Sequence, residues 1–130
     1  MEDGTPKILL VDDDPTFIQL YSSVFRIQKI NLSIAKNGIE ALQKASEEQP
    51  NLILLDIMLP DINGFDVLKR LKEDPRTNKI TVWVFSNLAE QINKDTAKSL
   101  GAQDYLVKAS NTPNQVVAKI NSFFRDRMPI

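Results

Sequence analysis

Four acidic residues and three other side chains stand where they could do chemistry together. Asp12, Asp13 and Asp14 follow the apolar string Ile8 to Val11, and Asp56 follows Leu52 to Leu55. Ser86 closes the run Val82 to Phe85, Lys108 closes Tyr105 to Val107, and Tyr105 opens that last run. Carboxylates gathered in one low-dielectric crevice repel one another, and a proton or a cation relieves the repulsion. Oxygen ligands without histidine or cysteine favour magnesium or calcium, with manganese as a substitute. Magnesium fits best, because it keeps several waters and so leaves positions open for a phosphoryl oxygen. A carboxylate such as Asp56 can then attack phosphorus and become an acyl phosphate. Lys108 and the metal would neutralise the equatorial oxygens, and Ser86 could donate a hydrogen bond to one of them.

Taken singly, each of these residues is ordinary. Asp14 suits a helix cap, Ser86 a turn, Lys108 a solvated surface, and Tyr105 a core ring with a wet hydroxyl. Their recurrence at the ends of successive apolar runs carries the argument.

Composition removes the competing chemistries. The chain has 130 residues with 16 Lys and Arg against 17 Asp and Glu, a net charge of −1, and no histidine or cysteine. Imidazole bases, thiolate metal sites, disulfide scaffolds and most hydrolytic triads are excluded. No basic block supports a nucleic-acid surface, and no apolar run approaches the ~20 residues needed to span a bilayer. Met1 to Pro6 carries two acids rather than a basic, apolar leader, so the expected compartment is the cytoplasm.

The elements that must position these residues follow a strand-then-helix rhythm. Strands are expected at Lys7–Val11, Asn31–Ala35, Asn51–Leu55, Thr81–Phe85 and Tyr105–Val107. The first helix opens with Asp14 as N-cap and Pro15 at its first position, and sets Phe17, Leu20, Tyr21, Val24 and Phe25 at helical spacing. The second follows Asn37-Gly38 with Ile39, Leu42 and Ala45 on one face and ends at Pro50. The third follows the loop of Pro60, Asp61, Asn63 and Gly64, carries Phe65, Leu68 and Leu71, and ends near Asp74-Pro75. A fourth is expected from about Leu88 to Leu100, stopped by Gly101, and Pro113 opens a fifth with Val116, Val117, Ile120, Phe123 and Phe124 on its core face. Five strand-helix units in one short chain imply an α/β fold, a parallel sheet covered on both sides. Ligands of such sheets sit beyond the carboxyl ends of the strands, where the residues named above fall.

The strings ILLVDDDP (8–15), LILLDIMLPDINGFDVL (52–68), VWVFSN (82–87) and LGAQDYLVKA (100–109) resemble the response-regulator receiver domain of two-component signalling, in order and in spacing. The resemblance spans about the whole chain and implies a doubly wound, flavodoxin-like (βα)5 fold with strand order 2-1-3-4-5. It implies Asp56 as phosphoacceptor, Asp13 as direct magnesium ligand, Asp12 as a second acid acting mainly through water, and the main-chain carbonyl of Met58 as a further ligand. Ser86 matches the switch hydroxyl, Tyr105 the aromatic switch and Lys108 the phosphate-sensing lysine. The implied donor is a sensor histidine kinase or a histidine phosphotransfer protein. The implied target is a protein bound on the surface of the fourth helix, fifth strand and fifth helix, with no direct role for nucleic acid or membrane. Such a protein is a signalling phosphoacceptor rather than a turnover enzyme. The expected organisation is a short tail over 1–6, the domain over 7–125 and a tail over 126–130, read as a stand-alone receiver.

The sequence departs from the pattern at three places. Ala109 follows the lysine where the family usually has a proline, commonly behind a cis peptide, a geometry that costs about 2.5–4 kcal/mol before any other residue. Asn87 stands where a small residue is common and Met58 where a polar one is frequent, and their bulk would screen an aspartyl phosphate from water. Two alternatives stand beside this reading: a receiver-like module that binds partners without phosphorylation, and a haloacid-dehalogenase-like phosphatase. The latter would use Asp12 as nucleophile and Asp14 as acid in the string Asp12-Asp13-Asp14-Pro15-Thr16, leaving Asp56 idle.

Overall fold

The computed structural model describes residues 5–127. Five parallel strands, β1 (Lys7–Val11), β2 (Asn31–Ala35), β3 (Leu52–Leu55), β4 (Thr81–Ser86) and β5 (Asp104–Val107), form one sheet in the order β2-β1-β3-β4-β5. Between and after them run α1 (Pro15–Ile27), α2 (Gly38–Glu48), α3 (Gly64–Glu73), α4 (Gln91–Ser99) and α5 (Pro113–Arg127), with a 3-10 turn over Lys108–Ser110. The fold is the expected doubly wound, flavodoxin-like α/β architecture.

Period-two alternation divides the strands between two cores. Leu9, Val11, Ile53, Leu55, Val82 and Val84 face one side, where Ala41, Ala45, Val67, Leu68, Leu71 and Ala97 cover them. Ile8, Leu10, Leu52, Leu54, Trp83 and Phe85 face the other, against Tyr21, Phe25, Val116, Val117 and Ile120. Thus α2, α3 and α4 lie on one face, and α1 and α5 on the other. Each large aliphatic side chain fully buried this way contributes about 1.5–3 kcal/mol. Because β1 and β3 are buried on both faces, their ends are held firmly.

Helix starts follow from short polar side chains. Asp14 accepts the N–H groups of Thr16 and Phe17 ahead of α1, Asn37 that of Glu40 ahead of α2, and Asn63 that of Phe65 ahead of α3. Each satisfies donors that the first turn leaves unpaired.

Several boundaries and faces differ from expectation. β3 begins at Leu52 because Asn51 turns its side chain to accept the Lys7 N–H at 2.8 Å while donating its own N–H to Lys7 O. β4 extends to Ser86 and β5 starts at Asp104. α4 begins at Gln91 rather than Leu88, since Leu88 is held by hydrogen bonds to Ser86 and Tyr105 described below. On α2, Ile39 is 62% exposed, and the face against the sheet is built from Gly38, Ala41 and Ala45. Only small residues let that helix approach closely, for a Cβ on Gly38 would lie 2.8 Å from Val67 Cγ2. Leu20 also points largely outward from α1. α5 continues through Asp126 and Arg127, while the rest of the expected C-terminal tail and residues 1–4 of the N-terminal one lie outside the described residues. No described peptide bond is cis, so Lys108 and Ala109 are joined in trans.

Candidate functional site

Asp12 and Asp56 leave the carboxyl ends of the adjacent strands β1 and β3, and the sheet pattern continues one bond past each strand. Asp12 N–H donates to Ala35 O at 3.0 Å and Asp56 N–H to Val11 O at 3.1 Å. Both side chains are buried, at 1% and 7% exposure, while the neighbouring Asp13 is exposed. One carboxylate oxygen from each of Asp12, Asp13 and Asp56 lies within 4.8 Å of the others. Opposite ligands of an octahedral magnesium stand about 4.2 Å apart. Adjacent ligands stand only about 3 Å apart, so the three oxygens would close in by up to about 2 Å or bind partly through water, and the all-oxygen donor set suits a hard cation.

Lys108 enters from the end of β5, 96 residues beyond Asp12 in the chain. Its Nζ lies 2.5 Å from Asp12 Oδ2 and 2.9 Å from Asp56 Oδ2. It also stands 4.3 Å from the centre of the Phe17 ring, which is stacked on Tyr21 and packed edge-on against Phe85. Phe17 is a site residue that the sequence pattern assigned only to the core of α1. Its place in the first turn after the aspartate string is the signal that could have found it.

The electrostatics follow from this crowding. Burial pushes the Asp12 carboxyl up, against the hydrogen bonds from Lys108 and the Asp14 N–H that hold it down. Burial pulls the Lys108 ammonium down, but its bonds to Asp12 and Asp56 outweigh that and leave it raised. One ammonium, paired with two of the three clustered carboxylates, leaves the crevice short of positive charge, the condition that favours binding a cation.

The loop after Asp56 is locked against α3. Met58 N–H donates to Asp56 Oδ1 at 3.3 Å, and the Met58 side chain is 66% exposed. Gly64 N–H donates to Ile57 O at 2.7 Å, and a Cβ on Gly64 would lie 2.2 Å from Asp56 O, so only glycine fits there. Asp61 carries the loop across to α2, its two carboxylate oxygens accepting the Gly38 and Ile39 N–H groups at 2.7 and 3.0 Å. Sequence reading placed Asp61 only in a turn.

Ser86 and Tyr105 meet through Leu88 rather than at the carboxylates. Buried Ser86 Oγ accepts the Leu88 N–H at 3.2 Å, and the half-buried Tyr105 hydroxyl donates to Leu88 O at 2.5 Å. Burial raises the Tyr105 hydroxyl pKa against the Ser86 side chain, which lowers it, and the negative charge of Asp56 adds to the rise. Asn87, between Ser86 and Leu88, is exposed and reaches to Ala109, its Oδ1 accepting that N–H at 3.2 Å. The aspartates and lysine are thus gathered in one crevice, with the hydroxyl and the tyrosine arranged along the adjoining loop. Asp14, which a haloacid-dehalogenase-like reading would need as an acid, is occupied capping α1.

This geometry defines an acidic, cation-ready crevice at the carboxyl edge of a doubly wound sheet. A family model described as the response regulator receiver domain matches residues 8–121, and the chain belongs to that family. It is 36% identical over 126 residues to the DNA-binding dual master transcriptional regulator RpaA of Synechocystis, covering 95% of this chain and 52% of that protein. It is 34% identical over 104 residues to Protein PilH of Pseudomonas aeruginosa, covering 78% of this chain and 84% of PilH. The chain spans about half the length of the transcriptional regulators it matches. Among solved structures, the CheY-like receiver domain protein of Methanospirillum hungatei superposes with a TM-score of 0.85 at 25% identity, covering 95% of this chain and 96% of that one. The phosphorylated cyanobacterial phytochrome response regulator RcpA gives 0.81 at 27% identity, covering 97% and 98%. Receiver domains are signalling phosphoacceptors, phosphorylated by histidine kinases or phosphotransfer proteins, and they bind magnesium at an acidic pocket. Neither the receiver-family match nor the capping role of Asp14 favours the phosphatase or the phosphorylation-independent alternative. No helix among the described residues is long and apolar enough to cross a membrane.

Proposed function

We propose that this domain accepts a phosphoryl group on Asp56 from a phosphohistidine of another protein, in a magnesium-dependent reaction. The observation that carries the reading is the bridge from Lys108 to Asp12 and Asp56, with Asp13 completing a cluster of cation-binding size. An Asp56 oxygen forms the new bond to phosphorus, the phosphorus–nitrogen bond breaks, and the imidazole nitrogen leaves with its electron pair. These 130 residues contain no histidine, so the donor imidazole lies outside them.

Asp13, Asp12, Asp56 and the Met58 carbonyl would hold magnesium, or manganese in its place, which when bound neutralises charge on the incoming phosphoryl oxygens. Lys108 stays within reach of both Asp56 and a group attached to it. A phosphoryl group adds about −1.5 to −2 charges and new acceptor oxygens, enough to draw the Ser86 hydroxyl toward it. Ser86 would then release the Leu88 N–H, and Tyr105, tied to the same residue, would follow. The surface of α4, β5 and α5 is the region that this change reshapes, and a target protein is its proposed reader. Met58 and Asn87 screen the phosphoryl group from water. The functional domain is taken as residues 7–125, in the cytoplasm.

The test is incubation with magnesium and acetyl phosphate followed by intact mass. Wild type gains one phosphate and Asp56→Asn gains none. Absence of phosphate on the wild type overturns the proposal, and phosphate on Asp12 instead would restore the phosphatase reading.

A further inference from the structure

Two loops that carry site residues are joined by one side chain. Asn87, directly after Ser86, accepts the backbone N–H of Ala109, directly after Lys108, at 3.2 Å across 22 residues of sequence. A proline at 109 would have no N–H to offer, and a small residue at 87 would have no amide oxygen to receive it. The two departures noted in the sequence therefore meet and satisfy one another. The same turn is held from its far side by Asn111, whose Nδ2 donates to Val107 O at 2.9 Å and whose N–H donates to Lys108 O at 3.4 Å. Lys108 is rooted between these two asparagines.

We infer that Asn87 is a positioning residue for Lys108: through the Ala109 N–H it fixes the backbone from which the ammonium reaches Asp12 and Asp56, and it couples displacement of Ser86 to that of Lys108. The inference rests on the proposed phosphorylation of Asp56. A lysine side chain has four rotatable bonds, so the placement of Nζ against two carboxylates depends on how firmly its backbone is held. The sheet no longer supplies that restraint, because β5 ends at Val107 and the 3-10 turn begins at Lys108. Ala109 and Asn87 are both exposed, so the bond competes with water and its effect is modest. A hydrogen bond of this kind corresponds to about a three- to tenfold change in a rate. Exposure also means that side-chain replacement at 87 leaves the core intact.

The test compares wild type, Asn87→Ala, Asn87→Leu and Asn87→Asp. Leucine keeps the bulk without an acceptor, whereas aspartate keeps an acceptor oxygen. In amide hydrogen exchange followed by NMR, the Ala109 N–H is expected to exchange slowly in wild type and Asn87→Asp and fast in the alanine and leucine variants. The rate of Asp56 phosphorylation by acetyl phosphate, at saturating magnesium, should fall about three- to tenfold in Asn87→Ala and Asn87→Leu and recover in Asn87→Asp. Magnesium affinity, measured by calorimetry, should stay unchanged or rise slightly, because a loosened ammonium competes less for the carboxylates. A general loss of structure would instead weaken magnesium binding, and that result overturns the inference. So does a phosphorylation rate in Asn87→Leu equal to wild type, which would reduce Asn87 to bulk. If wild type itself takes no phosphate, the underlying reading falls together with this role. Normal wild-type phosphorylation with no dependence on residue 87 removes the positioning role alone.

Discussion

Replacing Lys108 with methionine keeps the apolar stem and removes the only ammonium among the described residues that is bonded to Asp12 and Asp56. At 2.5 and 2.9 Å, the gross attraction at an effective dielectric of 20 is about 6 kcal/mol per contact. Most of it is offset by the desolvation of the groups involved. What remains is the penalty of leaving two buried carboxylates unpaired, about 2–4 kcal/mol once discounted for the solvent that exposed Asp13 admits to the crevice. Trp83, the only tryptophan, is 4% exposed and packs edge-on against Phe123 at 5.3 Å, so its fluorescence reports unfolding. In urea with a chelator, Lys108→Met should lose about 2–4 kcal/mol without a change in slope. Magnesium should restore more stability to the variant than it adds to wild type, because its competitor for the carboxylates is gone. The deficit should also depend on pH. Lys108 normally holds Asp12 down, so its loss raises the Asp12 folded pKa further above 3.8. A raised folded carboxyl binds protons that the unfolded chain has released, so stability falls as pH rises through that window. The deficit therefore shrinks toward acid pH. Equal stability of the two proteins in chelator, or equal gains from magnesium, would refute the reasoning.

Other outcomes follow from the loops around Asp56. Gly64→Ala must push a Cβ against Asp56 O, so it should destabilise by about 1–3 kcal/mol in urea unfolding and weaken magnesium binding in calorimetry; wild-type magnesium affinity would count against it. Burial tends to raise the Asp61 carboxyl, but the N–H groups of Gly38, Ile39 and Ile62 outweigh it and hold the group below its usual 3.8. A lowered folded carboxyl stabilises above the unfolded value, so the advantage of wild type over Asp61→Asn should be full above pH 3.8 and fade as pH falls below it, as thermal melts would register. The phosphoform of wild type should outlast seconds, and Met58→Asn should shorten its life severalfold in intact-mass time courses after removal of the donor. A wild-type lifetime of seconds contradicts screening by Met58 and Asn87.

The strand ends were legible because β1, β3 and β4 are nearly continuous apolar runs that stop at a polar residue, and a sheet buried on both faces permits little else. Asp12, Asp56, Ser86 and Lys108 could be placed on one rim from that pattern alone. The helix faces were less legible. Ile39 has the spacing of a core residue, yet α2 packs through Gly38, Ala41 and Ala45 because close approach favours small side chains over apolar ones. α4 starts later than its pattern suggests because Leu88 has the propensity to be helical, while its N–H and carbonyl are committed to Ser86 and Tyr105. Phe17 under the ammonium, Asp61 across to α2 and Asn87 across to Ala109 depend on side-chain directions between distant segments. No local period in the sequence encodes those directions.

The bond between Lys108 and Asp12 spans 96 residues and joins the first strand to the segment after the last. Contacts of such separation form late, because a long loop must close before they return any energy. During synthesis, a chain that has emerged only through β4 already carries Asp12, Asp13 and Asp56 but not the lysine that neutralises them. Its acidic crevice stays electrostatically frustrated until β5 docks at the edge of the sheet. A chain truncated or half-folded before β5 thus carries the three carboxylates without the ammonium that pairs with Asp12 and Asp56.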